Sequence, residues 1–443
     1  MDTSLMQPSA TVSEARYLSG FGNEHASEAL PGALPIGRNS PRRPPFGLYA
    51  EQLNGTAFTA PRSENRRTWL YRIRPSADHG PFAPRPHAGL MTAPLREGGA
   101  DPNRYGWDPW PMPEQPQDFV GGLFTIVVNG DAEHQIGIGI HVYTANRSMA
   151  DRVFACIDGE LLIVPQEGAI RLTTELGLLD VAPGEIALVP RSLKFAVDLK
   201  AGHARGFVCE NYGPYFRLPE LGPIGANGLA NARDFLAPVA AFEDREAPVE
   251  SLVKFGGALW TTQLDHSPFD VVAWHGTHVP MKYDLARFMA INTVSFDHAD
   301  PSIFTVLHAP SGLPGVANAD FVIFPPRWSV AEDTFRPPYF HRNVMAEFSA
   351  TIGGRAQTRG RYAPGGCNMR NPMAAHGPDI ALFERASAAP DGPAREESLS
   401  IMFESRLPFH PTPLALAAPN RNLSFDRQWQ GMPKRFRPSI SGS

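Results

Sequence analysis

From residue 121 onward, short apolar runs alternate with turn residues at strand-like spacing. The runs are Leu123–Val128, Ile136–Val142, Val153–Ile157, Leu161–Val164, Ala169–Leu172, Glu185–Val189, Phe195–Val197 and Gly206–Cys209. Asp158-Gly159, Gln166-Glu167-Gly168 and Pro183-Gly184 punctuate them, and many short strands spaced this way predict a sandwich or barrel. Helical stretches are expected at about Asn231–Phe242 and Tyr283–Ala290. Strands are expected again at Ile291–Phe296, Ser302–Leu307, Phe321–Phe324, Val344–Ile352 and Ser398–Phe403. At 443 residues the chain exceeds what one core usually serves. Two domains are therefore expected, an N-terminal β domain over 1–285 and a C-terminal domain over 286–443.

The first 120 residues read differently. Pro and Gly, 45 and 40 in the chain, break this region into loops, yet Trp69, Tyr71, Trp107 and Trp110 are interleaved and call for burial. Further on, Asp158–Val164 followed by Val181–Pro190 resembles the strand-turn-strand arrangement of cupins. The His-x-His cluster of cupins is missing there, so this barrel is expected to hold no metal of its own. The expected fold is mainly β: two bicupin-like jelly-roll barrels with a loop-rich N-terminal region. From Pro419 onward an extended tail is expected, with Trp429 and Phe436 as anchors on a neighbour.

Composition narrows the function. Charged residues make up 19% and hydrophobic ones 42%, and the net charge is −5 with no basic block. Nucleic acid and a polybasic membrane anchor have no electrostatic support. No apolar run approaches the 18 or more residues of a membrane-spanning helix. The first residues lack a basic segment followed by an apolar one, so no secretory signal is expected. Cys156, Cys209 and Cys367 are odd in number and dispersed, a poor disulfide framework that points to the cytoplasm.

Candidate chemistry concentrates near the C-terminus. In Tyr339-Phe340-His341-Arg342-Asn343-Val344-Met345-Ala346-Glu347, His341 and Glu347 share a face if the segment is a strand, whereas on a helix they diverge. Tyr339, His341, Asn343, Met345, Glu347, Ser349 and Thr351 would form that face, opposite Phe340, Val344, Ala346, Phe348, Ala350 and Ile352. His376, 29 residues after Glu347, follows a Gly-Gly loop that can return it to the pair. Two imidazoles and a carboxylate form the facial triad of non-haem Fe(II), and also a catalytic zinc set. His298, between two expected strands, is either a turn residue or an imidazole able to exchange a phenolic proton near neutral pH.

Longer segments carry a resemblance. Tyr17–His25, Gly47–Leu53, Glu210–Gly213, Leu221–Ala230, Phe296–Phe304, Phe321–Trp328 and Phe335–Glu347 are similar to the homogentisate 1,2-dioxygenases, a likeness running from about residue 17 to 405. It implies Fe(II) held by His341, Glu347 and His376, with His298 as acid/base. It also implies an aromatic substrate and O2 as partners, ring cleavage to maleylacetoacetate in tyrosine and phenylalanine breakdown, and a homohexamer built as a dimer of trimers. The chain departs from the family between its last two ligands. Arg370 stands where the family has His, and Arg355 or Ala356 where a tyrosine helps bind substrate. Tyr339-Phe340 replaces a Tyr-Tyr pair. His376, Arg355, Ala356, Arg359 and Arg370 are accordingly the expected substrate contacts. Either these arginines meet a substrate carboxylate with charge-assisted bonds, or the loop over 353–375 has drifted and they face solvent. A related para-dihydroxy aromatic as substrate, and a non-catalytic bicupin, are the competing readings.

Overall fold

A computed structural model describes residues 14–438 except 226–227, 292–296, 298–299, 331, 337–338 and 355–362. The strands of the first half, joined by His410–Pro411 from the second, form a nine-stranded and a seven-stranded sheet, with a four-stranded sheet beside them. At the centre of the nine-stranded sheet, Glu160–Glu167 pairs with Ala204–Asn211, which pairs in turn with Ile138–Ala145. Every position of Ile138–Ala145 is buried. A strand covered on both faces keeps no polar side, which explains its Ile-Gly-Ile-His-Val-Tyr sequence. Leu123–Val128 and Glu185–Val189 form as the alternation predicts, and each of the other six runs expected between 121 and 209 lies within or overlaps a strand.

The expected helices are not there. Within 231–242 the chain makes one 3-10 turn, Ala232–Asp234, and then the strand Phe235–Pro238, which is held between Tyr17–Ser19 and Met281–Asp284. Phe235 stacks on Tyr283 with ring centroids 4.4 Å apart. That packing overrides local helical preference. Over 283–290 the strand Met281–Asp284 ends and the 3-10 turn Leu285–Arg287 follows, capped by Asp284. Among the described residues the α-helices are Ile380–Ser387 and Pro413–Ala417, neither anticipated from the alternation.

The second half is built on a six-stranded sheet ordered Thr305–Pro310, Ala317–Phe324, Leu399–Ser405, Ala346–Gly353, Cys367–Arg370 and Arg104–Trp107. The first strand starts later than expected because Asp300 accepts from the amide of Ser302 and caps the 3-10 turn Pro301–Phe304. The strand expected at Ile291–Phe296 lies mostly outside the described residues.

The last strand of this sheet comes from the loop-rich first 120 residues. Trp107 on it is buried, and its indole donates to the carbonyl of Ala415. In the other direction His410–Pro411 returns to pair with Leu123–Val128. Each half thus completes an edge of the other. Between them Phe207 meets Phe348 edge-on at 6.2 Å, and one hydrophobic cluster runs through both. The architecture is mainly β and two-domain.

Candidate metal centre

Glu347 sits one residue into the strand Ala346–Gly353 and is 4% exposed. The strand does not extend back to His341 as the alternation suggested. Asn343 interrupts it: its side-chain oxygen accepts from the amide of Met345, and its carbonyl accepts from Met373. An Asx turn of this kind competes with strand pairing. Upstream of it the predicted faces fail, with Phe340 and Val344 exposed and Met345 buried.

His341 reaches the site by another route. It forms an isolated antiparallel bridge with His376, each backbone amide donating to the other's carbonyl at 2.9 and 3.1 Å. The bridge sets the two rings 4.1 Å apart, centroid to centroid. Gly377 permits this approach, because a Cβ there would stand 2.5 Å from the Phe340 ring. The segment behind His376 is tied down on several sides. Arg104 donates to the carbonyl of Ala375, Trp429 donates to that of Gly377, and Asn371 bridges to Asp101 and Phe409. Trp429 therefore anchors on its own chain, while Phe436 stays exposed.

The ligating atoms of His341, Glu347 and His376 all lie within 4.8 Å of one another. His376 Nε2 is 3.1 Å from one carboxylate oxygen, and His341 Nε2 is 3.9 Å from the other. Nδ1 of His341 lies 2.7 Å from the carbonyl of Tyr339, and Nδ1 of His376 lies 2.9 Å from that of Ala374. A carbonyl only accepts, so each Nδ1 carries a hydrogen, and Nε2 is the ring atom each histidine turns to the carboxylate.

Burial works to raise the Glu347 carboxyl, but the His376 hydrogen bond, the charge of Arg370 and the Asn343 amide outweigh it and hold it at about 2. Burial, helped by Arg370, lowers His376 against the pull of Glu347. An ionised carboxylate facing two imidazole Nε2 atoms is a donor set suited to a cation. Ligands about 2.0–2.2 Å from one ion and roughly at right angles stand about 3 Å apart, which these separations approach. The residues fit a divalent metal.

Asn343, on the expected lining face, reaches a neighbour that went unnoticed in the sequence, Glu404. Asn343 Nδ2 donates both to Glu347 (3.0 Å) and to Glu404 (2.7 Å), which lies directly across from Glu347 on the next strand. Burial and the charges of Glu347 and Asp320 push Glu404 up to about 8, against its Asn343 hydrogen bond. A polar residue on the lining face of the Leu399–Ser405 strand was the available signal, but its register with Glu347 was not. Arg370 stands opposite Glu347 on the other side, Nη1 3.7 Å from the carboxylate. It belongs to the site. Arg355, Ala356, Arg359 and His298 lie outside the described residues.

The first half buries a comparable cluster. Glu210 is bonded by Lys254 Nζ at 2.7 Å, His141 Nε2 at 3.1 Å and Cys156 Sγ at 3.0 Å, and Lys254 also reaches Asp158 at 2.9 Å. Here the cation is a side chain.

Family comparison bears on the same residues. Residues 16–285 match the family model described as homogentisate 1,2-dioxygenase N-terminal, and residues 286–436 match homogentisate 1,2-dioxygenase C-terminal. The chain belongs to the homogentisate 1,2-dioxygenase family. It is accordingly an enzyme of the dioxygenase class. Similar solved structures are more distant. They include an oxalate decarboxylase mutant from Bacillus subtilis, at 11% identity and TM-score 0.30, covering 71% of this chain and 78% of that one. Protein Ylba from E. coli matches at 9% and 0.29, covering 70% and 94%. AerE from Microcystis aeruginosa matches at 6% and 0.26, covering 70% and 99%. Nothing about the site rests on them. Among the described residues no helix is long and apolar enough to cross a membrane.

Proposed function

We propose that the chain is an Fe(II)-dependent extradiol-type dioxygenase that converts homogentisate and O2 to maleylacetoacetate, in tyrosine and phenylalanine breakdown. The convergence of His341, Glu347 and His376 in a chain matched by this family's models over residues 16–436 carries the reading. Fe(II), when bound, supplies neighbouring open positions for an aromatic diol and O2, and the one-electron chemistry that O2 needs.

The protein's own part is to bind, orient and move a proton. Tyr339 and Ala374 carbonyls hold the two imidazoles in the tautomer that offers Nε2. Asn343 keeps the Glu347 carboxylate turned toward them. His298 takes up the phenolic proton as the diol binds and returns it after ring opening, a role supported by the family resemblance. The ring lies against His376 and near Ala356, and its carboxylate is met by one of Arg355, Arg359 and Arg370. Six copies assemble as a dimer of trimers in the cytoplasm. Three buried, unpaired cysteines are in keeping with that reducing compartment.

The deciding experiment is anaerobic reconstitution of metal-stripped protein with Fe(II), then O2 uptake across a panel of para-dihydroxy aromatics. One iron per chain and one O2 per homogentisate are expected. Turnover of another diol but not homogentisate would reassign the substrate, and a protein holding no stoichiometric iron would overturn the reading.

A further inference from the structure

A row of ionisable side chains crosses the whole C-terminal sheet. His308 stands opposite Asp320, Asp320 opposite Glu404, Glu404 opposite Glu347, Glu347 opposite Arg370, and Arg370 opposite Arg104. Directly opposed residues send their side chains to the same face, so the six form one line with Glu347 within it. Acids lie on one side of Glu347 and arginines on the other.

Most of the row is already committed. Asp320 is paired with His308 at 2.7 Å, and Glu404 is bonded to Asn343. Arg104 is used on every side: Nε and Nη2 hold Asp426, Nη1 holds the carbonyl of Ala375, and the guanidinium stacks on Trp429 at 4.2 Å. Arg370 differs. Its Nη1 stands at 3.7 Å from Glu347, beyond hydrogen-bond range, and its Nε is buried without a hydrogen-bond partner. A buried donor left unpaired is costly, and a planar guanidinium is shaped to take a carboxylate on two nitrogens.

We propose that Arg370 is the anchor for the substrate's carboxylate, so that the aromatic acid lies with its side chain on the arginine flank of the triad and its ring toward the metal ligands. This rests on the reading of the triad as an aromatic-diol site, and it selects one arginine from three. It also gives the departure from the family's His at this position a purpose: a neutral contact is exchanged for a charged one. Arg370 is a specificity-determining residue, and the preference it creates is for an anionic over a neutral side chain.

The test is a matched pair of substrates, homogentisate and its side-chain amide, on wild type, Arg370→Gln and Arg370→Lys. In Arg370→Gln, kcat/KM for the acid is expected to fall roughly 10- to 100-fold, mostly through KM, the loss of one charge-assisted contact. Arg370 also helps hold Glu347 ionised, so both substrates share whatever is lost through the metal, and the readout is the acid-to-amide preference, which should fall by at least about 10-fold. Arg370→Lys keeps the charge without the fork and should fall in between. It carries the test alone should the glutamine variant fail to fold. Equal loss on acid and amide, or no loss on either, overturns the proposal. Calorimetric binding of phenylacetate under anaerobic conditions gives a readout without turnover. Weaker binding to the variant supports the anchor even if wild type turns over neither diol, an outcome that would sink the functional reading instead.

Discussion

Glu210 and Glu347 pose the same physical problem in the two halves of the molecule, and the halves answer it differently. Both carboxyls are buried and both are held at about 2, burial being overcome by partners in each case. At Glu210 the leading partner is the Lys254 ammonium at 2.7 Å, with His141 and Cys156 completing the shell. At Glu347 the nearest fixed cation among the described residues is Arg370 at 3.7 Å, and the space facing the carboxylate belongs to two imidazole Nε2 atoms. A buried acid is tolerated when a cation accompanies it. One half encodes that cation in its sequence and the other leaves it to be captured from solution, so one cluster holds structure together while the other can do chemistry.

The largest break in this contrast should come from Glu347→Ala. Metal retained after dialysis, read by elemental analysis, is expected to drop by more than about 100-fold, since even residues that only support ligands cost 10–100-fold. A variant that keeps stoichiometric metal would remove Glu347 from the site. Next, Lys254→Met leaves Glu210 buried without its cation and should cost about 3–5 kcal/mol in denaturant unfolding. Adding Glu210→Gln should recover much of that loss, and metal content should stay at the wild-type level throughout. Equal stability of Lys254→Met and wild type would mean that the first half does not depend on its internal cation.

Asn343→Ala tests how far the captured metal depends on orientation. Affinity measured by chelator competition is expected to weaken roughly 10–100-fold with the fold intact, and an unchanged affinity would assign Asn343 to the turn alone. A last prediction concerns a third buried acid, Glu160. Burial raises it to about 7 against the pull of Arg66, the Phe216 amide and Arg191. The folded state then holds a proton that the unfolded state has released, so this group's contribution to stability is full below about 4.5 and declines as pH rises to about 7. Glu160→Gln should flatten that slope in urea titrations. A slope equal to the wild type's would locate the pH dependence elsewhere.

Much of the fold could be read in advance because its signals are local. Val-, Ile- and Leu-rich runs bounded by Asp-Gly and Pro-Gly turns carry their own strand propensity, and they appear within about three residues of the expected places. Phe235–Pro238 was misjudged because its strand is imposed by Tyr17–Ser19 and Tyr283, which lie far away in sequence. The site divides in the same manner. Residue types nominated His341, Glu347 and His376, but the expected single strand was wrong. What joins His341 to the site is a bridge to His376 and a turn at Asn343, and neither leaves a periodic trace. Glu404 and Arg104 were invisible for a related reason: their relevance is a matter of register across strands, which one sequence does not display.

The Arg104–Trp107 strand gives the molecule a schedule. It is synthesised long before Cys367–Arg370, the strand it pairs with, and until then one side of it has no partner in the six-stranded sheet. An unpaired edge is an invitation to the wrong neighbour. The carbonyl of Ala375, next to His376, is likewise held by Arg104 from that early strand. Metal capture is therefore a late event in the life of each chain, and the growing polypeptide is most exposed to misassembly in the interval before its own C-terminal third arrives.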